Sequence, residues 1–562
     1  MAVSTYAQKL GRRTQAHDRP VEHVVIVYPF TYVNPYNCMP PIGPEYVQAT
    51  VHETGRKTTL LDMRFERDVG VHLAAADLVV LYGFFEDCSL FGKWDQHVID
   101  ELLAQVPPDT PVLAGGTGFS DGEATLAERP GIDAVVVGMP VLPVQELLAS
   151  GTPEGVRNVT WRSTEGVVRN ARVTHRMSDD IFPRRALRNP RYRYHTLGIP
   201  MDLVRAAQGC DFKCRFCYQY GKDTDGNYLR WQGRSPESQL AELQSITASI
   251  VVWVDDDMTT DMAALDRLAD LLIENKVEKI LIGTGRIDHV LKSSVAVLKK
   301  LERAGLLALT FGVESLKDEM LRFYRKAQTM AMVEKAIVMM NQTNIMLVCN
   351  FLLGSPGDKE ADMMEFLWAG RRWKVDHLVT NRLRVPEGSE LHALITDKAT
   401  GLPRAGMERI RGRQLKRIKS SIKFGQGTPL HLGRTILKLH RHRGLALDPL
   451  HLLAAAVESM GRSTWLDRWK ILPALCWLPK HLGRLKGFRW LTRMVATALY
   501  PLADALTGIF DPIDRRFGIS TRTLPALAEL FDRKVVAKQK QVAQVESKAT
   551  AVARPERSLQ PV

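Results

Sequence analysis

Gly209-Cys210-Asp211-Phe212-Lys213-Cys214-Arg215-Phe216-Cys217-Tyr218 sets three cysteines in a C-x3-C-x2-C pattern, with an aromatic residue before the last. Cysteine thiolate is the usual ligand of iron–sulfur clusters, so three thiolates on one short loop suit three irons of a [4Fe–4S] cluster. The fourth iron then stays open to a small molecule. Structural zinc takes four ligands, and no fourth Cys or His lies close by in sequence. Seven cysteines, an odd number, and the lack of a secretory signal argue against a disulfide.

The motif resembles that of the radical S-adenosylmethionine (radical SAM) superfamily. The resemblance implies that Cys210, Cys214 and Cys217 hold the cluster. The open iron then chelates SAM, and a reductant such as flavodoxin or ferredoxin supplies the electron that splits it to a 5′-deoxyadenosyl radical.

Downstream, strands are expected near 202–207, 250–255, 279–284, 307–313, 345–353 and 375–384, with amphipathic helices between them. Six such repeats make a partial (β/α)6 barrel over 201–395, the fold of that superfamily, with functional residues at the C-terminal strand ends. Asp255-Asp256-Asp257, Arg286, Gly312-Val313-Glu314-Ser315 and Leu353-Gly354-Ser355-Pro356-Gly357 fall at those ends. The resemblance implies SAM contacts from Asp256 and Glu314 to ammonium and ribose, from Arg286 to carboxylate, and from Phe216 to adenine. Paired hydrogen bonds make arginine the natural carboxylate partner. Asp257 reads equally as a helix N-cap, and Glu314 as a salt bridge on the barrel rim. Tyr218 and Tyr220 face substrate or cofactor, or pack. Cys349, inside an apolar strand, reads as a buried small hydrophobe.

Before the barrel, at 21–155, short apolar runs alternate with helical segments. The runs are 24–28, 59–61, 78–81, 112–114 and 134–137, and the helices include 45–53 and 95–105. That alternation predicts a doubly wound, Rossmann-like parallel sheet that binds ligand at its C-terminal strand ends. Gly115-Gly116-Thr117-Gly118 follows one strand and Gly138 ends the next, where backbone turns sharply or approaches a ligand. With Pro40-Pro41-Ile42-Gly43-Pro44-Glu45-Tyr46 and Gly131 to Gly138, this order resembles the cobalamin-binding domain of class B radical SAM enzymes. The resemblance assigns Gly115, Gly116, Thr117 and Gly138 to cobalamin. The D-x-H-x-x-G signature of other cobalamin domains is missing, and His52, His72 and His97 read as surface or helix residues.

Composition is that of a globular protein, 45% apolar and 25% charged. Lacking a signal peptide or an apolar run of about 18 residues, the chain is expected in the cytoplasm. Its net charge of +14 is uneven: from residue 401 on, 30 Lys and Arg face 11 Asp and Glu. After a flexible N-terminus (1–20), the first domain and a connector with a hairpin (156–200), the barrel gives way to a basic all-α region (396–535) and a disordered tail (536–562). Met407, Ile410, Leu415, Ile418 and Ile422 roughly share one helix face, as do Leu491, Met494, Val495, Ala498 and Leu502, with a kink expected at Pro501. Trp465, Trp469, Trp477 and Trp490 interleave with basic residues. That pattern fits helices lying in a membrane interface, or a helical domain whose charge is merely solvated. Nucleic acid is disfavoured, because no binding module accompanies the charge.

Together these readings predict a cobalamin-binding radical SAM enzyme that methylates an unactivated carbon of a hydrophobic or lipid-like substrate. The alternative keeps the radical start but ends in oxidative cyclisation or carbon–carbon coupling on a porphyrin or lipid, with a vestigial cobalamin domain. A methylthiotransferase is disfavoured, since the N-terminal domain offers only Cys38 and Cys88 where three cluster cysteines are needed.

Overall fold

The computed structural model describes residues 5–10, 21–31, 37–83, 96–119, 121–138, 140–173, 177–196, 199–217, 230–385, 389–442 and 486–523. The chain forms two compact units, residues 1–313 with 317–347, and residues 314–316 with 348–562.

The first unit opens with β1 (His23–Tyr28), α1 (Ile42–Glu53), β2 (Lys57–Asp62), β3 (Leu78–Tyr82), α2 (Gln96–Gln105), β4 (Val112–Gly115), β5 (Ala134–Val136) and α3 (Val141–Ser150). The sheet runs β2-β1-β3-β4-β5, all parallel. Its strands read as near-continuous apolar runs because both faces are covered. Val24, Ile26, Leu78, Val80 and Leu113 serve one core, and Val25, Val27, Val79, Leu81 and Ala114 the other. The hairpin β6 (Val159–Ser163) and β7 (Gly166–Arg169) adds to this sheet antiparallel, Ala134 pairing with Trp161. The first part of the expected connector is thus sheet edge.

The second sheet of this unit holds β8 (Ile199–Val204), β9 (Ile250–Trp253), β10 (Ile280–Gly285) and β11 (Leu306–Glu314), parallel throughout. Helices α4 (Pro236–Ser245), α5 (Met262–Glu274), α6 (Val295–Ala304) and α7 (Met330–Met340) intervene or follow. Ser235, Asp261, Ser294 and Thr329 cap them with side-chain oxygens. Asp261, not Asp257, is therefore the cap after β9.

Buried ion pairs dock the two sheets. The Arg188 guanidinium reaches Glu45 on α1 at 2.6 Å and Asp202 on β8 at 2.6 Å, while Arg185 pairs with Glu242 on α4. The Tyr46 hydroxyl donates to the Arg205 carbonyl at 2.8 Å. Paired in this way the buried charges are tolerated, and removing one partner would strand the other.

In the second unit β12 (Met346–Leu353) and β13 (His377–Arg382) pair in parallel, flanking α8 (Glu360–Arg372). Helices α9 (Gly412–Gln426), α10 (Pro429–Arg441) and α11 (Lys486–Phe517) follow. Cys349 is fully buried on β12, and burial pushes its thiol up, as a small hydrophobe would show. Helix α11 continues through Pro501 and Pro512. Cys88, Tyr218, Tyr220, Trp465, Trp469, Trp477 and the tail lie outside the described residues.

Candidate active site

The cysteine loop leaves β8 and is fixed by backbone contacts. Gly209 adopts a left-handed φ of 76°, and its N–H donates to Asp256 Oδ2 at 3.2 Å. A turn then closes from the Cys217 N–H to the Cys214 carbonyl at 3.0 Å. The segment from Phe323 to Gln328 braces this loop. Tyr324 O accepts from the Arg215 N–H at 3.0 Å, Phe323 O from the Arg215 guanidinium at 2.6 Å, and Arg325 O from the Cys214 thiol at 3.8 Å. Two non-glycine residues there, Arg325 and Ala327, are left-handed, a strain of about 1–2 kcal/mol each. Gln328 stabilises the turn by donating to the carbonyls of Gly312 and Val313 at the end of β11.

None of the three cysteines is in a disulfide; Cys214 is buried and the others are half-buried. Among the described residues no three His, Cys, Asp or Glu side chains converge on a single ion. A [4Fe–4S] cluster asks for something else, one thiolate for each of three irons. Burial pushes the Cys210 thiol up while the Arg286 charge opposes it; a coordinating metal would deprotonate it outright.

Arg286 is the most informative side chain. It starts the turn after β10 and is buried, with its guanidinium carbon 3.3 Å from the centre of the Phe212 ring, between the cysteines. Its N–H meets the Thr259 hydroxyl at 2.9 Å, and Nε meets Asp288 at 2.9 Å. Its terminal Nη2 is buried with no hydrogen-bond partner. A buried donor left unmatched costs about 1–3 kcal/mol, so this nitrogen awaits an acceptor. A guanidinium with one uncommitted nitrogen, stacked on the cysteine loop, fits a carboxylate-bearing ligand next to a cluster.

The acidic run after β9 divides its work. Asp255, fully enclosed, accepts from the Ala206 N–H at 2.8 Å, and burial pushes its carboxyl up to about 7 against the pull of Ala207, Ala206 and Arg205. Asp256 is half-buried and holds the Gly209 N–H. Asp257 lies 2.8 Å from His289 Nδ1 and accepts from Thr259; burial opposes ionisation, but these bonds hold its carboxyl below the usual range. Phe212 and His289 were not singled out from sequence. Phe212, lying between two of the cysteines, was the available signal, whereas nothing local marked His289. Phe216 packs edge-on against the buried Tyr324 at 5.1 Å. Glu314 ends β11, buried and left-handed at φ 70°.

On the first sheet the ring of Tyr82 lies over Gly43 and Gly116, where any Cβ would collide with it, and beside Gly115. Gly116 (φ 90°) and Gly138 (φ 89°) are left-handed, and around Gly138 the space is open. Thr117 begins a short turn, Thr117–Phe119. Bare backbone at adjoining strand ends suits a flat ligand. Much of what would surround it, 32–36 and 84–95, lies outside the described residues. His52, His72 and His97 are exposed on helices.

Residues 204–367 match the family model of the Radical SAM superfamily. This segment is a radical SAM domain and the chain a radical SAM enzyme, a class that works with a [4Fe–4S] cluster and SAM. An uncharacterized methyltransferase from Pyrococcus horikoshii is 24% identical over 359 residues, 60% of this chain and 74% of that protein. The anaerobic magnesium-protoporphyrin IX monomethyl ester cyclase of Cereibacter sphaeroides is 22% identical over 295 residues, 50% of this chain and 47% of the cyclase. Two solved structures share the fold. The radical SAM methyltransferase TsrM from Kitasatospora setae, with cobalamin and a [4Fe–4S] cluster bound, aligns at TM-score 0.54 and 16% identity, over 67% of this chain and 74% of its own. The cobalamin-dependent radical SAM enzyme OxsB, with aqua-cobalamin and SAM bound, aligns at TM-score 0.54 and 12% identity, over 92% and 90%.

Proposed function

We propose that the chain holds its cluster on Cys210, Cys214 and Cys217, binds SAM beside it and cobalamin on the first sheet, and methylates an unactivated carbon of a hydrophobic or lipid-like substrate. The observation that carries the reading is the buried, uncommitted Nη2 of Arg286, stacked on Phe212 within the cysteine loop. When bound, the cluster supplies the electron that splits SAM into methionine and a 5′-deoxyadenosyl radical, and cobalamin supplies the methyl group. Arg286 orients the SAM carboxylate, its Nε anchored by Asp288. Asp256 sets the loop through Gly209 and meets the ammonium or ribose of SAM. Phe216, braced by Tyr324, gives its ring to adenine. Gly115, Gly116 and Gly138 supply bare backbone to cobalamin, with Thr117 contacting it beside them, which the fold likeness to two cobalamin-bound structures supports.

The electron comes from a flavodoxin or ferredoxin in the reducing cytoplasm, where cysteines such as the five outside any disulfide among the described residues stay reduced. A hydrophobic substrate is suggested by the basic helical region and is developed below. The cyclase likeness favours a second reading, in which the same radical closes or couples a ring.

The test is anaerobic reconstitution with iron, sulfide and hydroxocobalamin, desalting, and a UV–visible spectrum, followed by reduction with SAM. Cobalamin retained near one per chain, with 5′-deoxyadenosine formed, is the expected result. Iron–sulfur absorption without retained cobalamin would overturn methyl transfer and favour ring closure or coupling. No SAM cleavage by a cluster-loaded protein would overturn the radical chemistry.

A further inference from the structure

Helix α11 is built in two faces of opposite character. At 1.5 Å per residue its 32 residues run about 48 Å. Leu491, Val495, Leu502, Leu506, Ile509 and Ile513 recur every three, four or seven residues, and each is 42–64% exposed. At about 100° per residue they share about a sixth of the circumference, a stripe without a charged residue. Trp490 near one end and Phe517 at the other are each 64% exposed.

The acidic residues of the helix, Asp504, Asp511 and Asp514, all face the other way and are paired. Lys374 and Arg434 meet Asp504, Arg371 (3.3 Å) and His431 (3.0 Å) meet Asp511, and Arg371 meets Asp514 at 2.8 Å. They fasten α11 to α8 and α10 and leave no carboxylate on the outward side. The remaining charges on the helix are basic, Lys486, Arg489, Arg493, Arg515 and Arg516; Arg493, Arg515 and Arg516 are exposed, and Arg515 pairs with Glu365 at 2.8 Å. Exposed apolar area this extended marks an interaction surface, since isolated surface hydrophobes need no explanation but a continuous stripe does. Among the described residues no helix is long and apolar enough to cross a membrane.

We infer that the outward face of α11 lies in the interface of a membrane leaflet carrying anionic lipid. Its apolar stripe sinks to the acyl boundary, Trp490 sits at headgroup level, and Arg516, at the edge of the stripe, meets lipid phosphate. The occupant follows from charge as well as apolarity: the outward side has no carboxylate to repel phosphate, and the region from residue 401 nets +19. An amphipathic helix of this length with aromatic and basic residues is suited to that position. This deepens the lipid-like substrate reading, and it stands or falls separately from the radical chemistry.

The experiment uses full-length, cluster-loaded protein and vesicles of phosphatidylcholine with phosphatidylglycerol, sedimented at low salt. Wild type should pellet with the anionic vesicles and far less with pure phosphatidylcholine. Leu502→Glu/Leu506→Glu/Ile509→Glu should lower the bound fraction about tenfold or more, while SAM cleavage without substrate stays unchanged. These positions are exposed, so the variant should fold; its melting temperature checks this. Wild type left in the supernatant overturns the inference, as does a triple variant that binds equally well. Concentration-dependent self-association abolished by the variant, without vesicle binding, would assign the stripe to a second copy. A sharply destabilised variant without vesicle binding would mean the chain's own residues cover it. Both outcomes overturn the inference, and neither bears on the radical reading, which the SAM-cleavage assay tests by itself.

Discussion

The cysteine loop and the glycine shelf sit at equivalent places, each beyond the C-terminal ends of parallel strands, yet they present ligands with different atoms. The loop offers side chains: three thiols, the Arg286 guanidinium and the Asp256 carboxylate. The shelf offers backbone at Gly115, Gly116 and Gly138, with one ring, Tyr82, lying across it. A ligand gripped by side chains dictates residue types at fixed spacing, whereas one resting on backbone requires only that side chains be missing. The first site should therefore fail sharply on mutation and the second through shape.

The largest effect should come from Cys214→Ala. Losing one of the three proposed ligands, and the buried thiol that meets Arg325 O, should abolish iron–sulfur absorption and SAM cleavage, while any cobalamin retention on the shelf persists. Loss of both together would break the comparison by showing the two sites to be one cooperative unit.

Arg286→Lys comes next. Lysine keeps the charge but loses the fork that grips Asp288 and a carboxylate at once. SAM affinity should weaken about tenfold to a hundredfold, the roughly 1.5–3 kcal/mol of a charge-assisted hydrogen bond, with iron content unchanged. Equilibrium binding of SAM to cluster-loaded protein measures it.

On the shelf, Gly116→Ala must adopt a left-handed φ and collide with Gly83 O and Tyr82. A cost of about 2 kcal/mol or more is expected, read as a lowered melting temperature, with cobalamin per chain reduced and iron retained. Gly138→Ala meets no neighbour, so strain alone, about 1 kcal/mol, should register in stability. Any larger loss of cobalamin at Gly138 would locate the close approach of backbone to ligand there.

A separate effect, on the pH dependence of stability, concerns Asp255. Its carboxyl, pushed up to about 7 by burial, keeps a proton in the folded chain that the unfolded chain gives up near pH 4. Stability should therefore fall as pH rises from about 4 to about 7 and level off above. Asp255→Asn, which retains an acceptor for Ala206, should flatten that decline in melting temperature across the window.

Much of this was legible in the sequence. A strand such as Leu78–Tyr82 falls within a residue of its apolar run, because a strand buried on both faces must be apolar throughout. The cysteine motif was equally plain, since its spacing is local. Contacts that span the fold were less plain. Asp257 read as a helix cap, yet Asp261 takes that part and Asp257 holds His289, 32 positions away. The hairpin at Val159–Arg169 was expected, but not its place on the edge of the first sheet, because pairing partners leave no mark on a turn.

The sequence by itself determined the thiols, the alternating strands and helices, and the basic excess beyond residue 401, because each is written in residue type and short-range spacing. Tertiary structure alone decided that Arg286 lies on Phe212 with a donor unspent, and that the carboxylates of α11 turn inward while its apolar stripe faces out. Burial and pairing belong to positions in space, and neighbours far apart along the chain acquire them only when it folds.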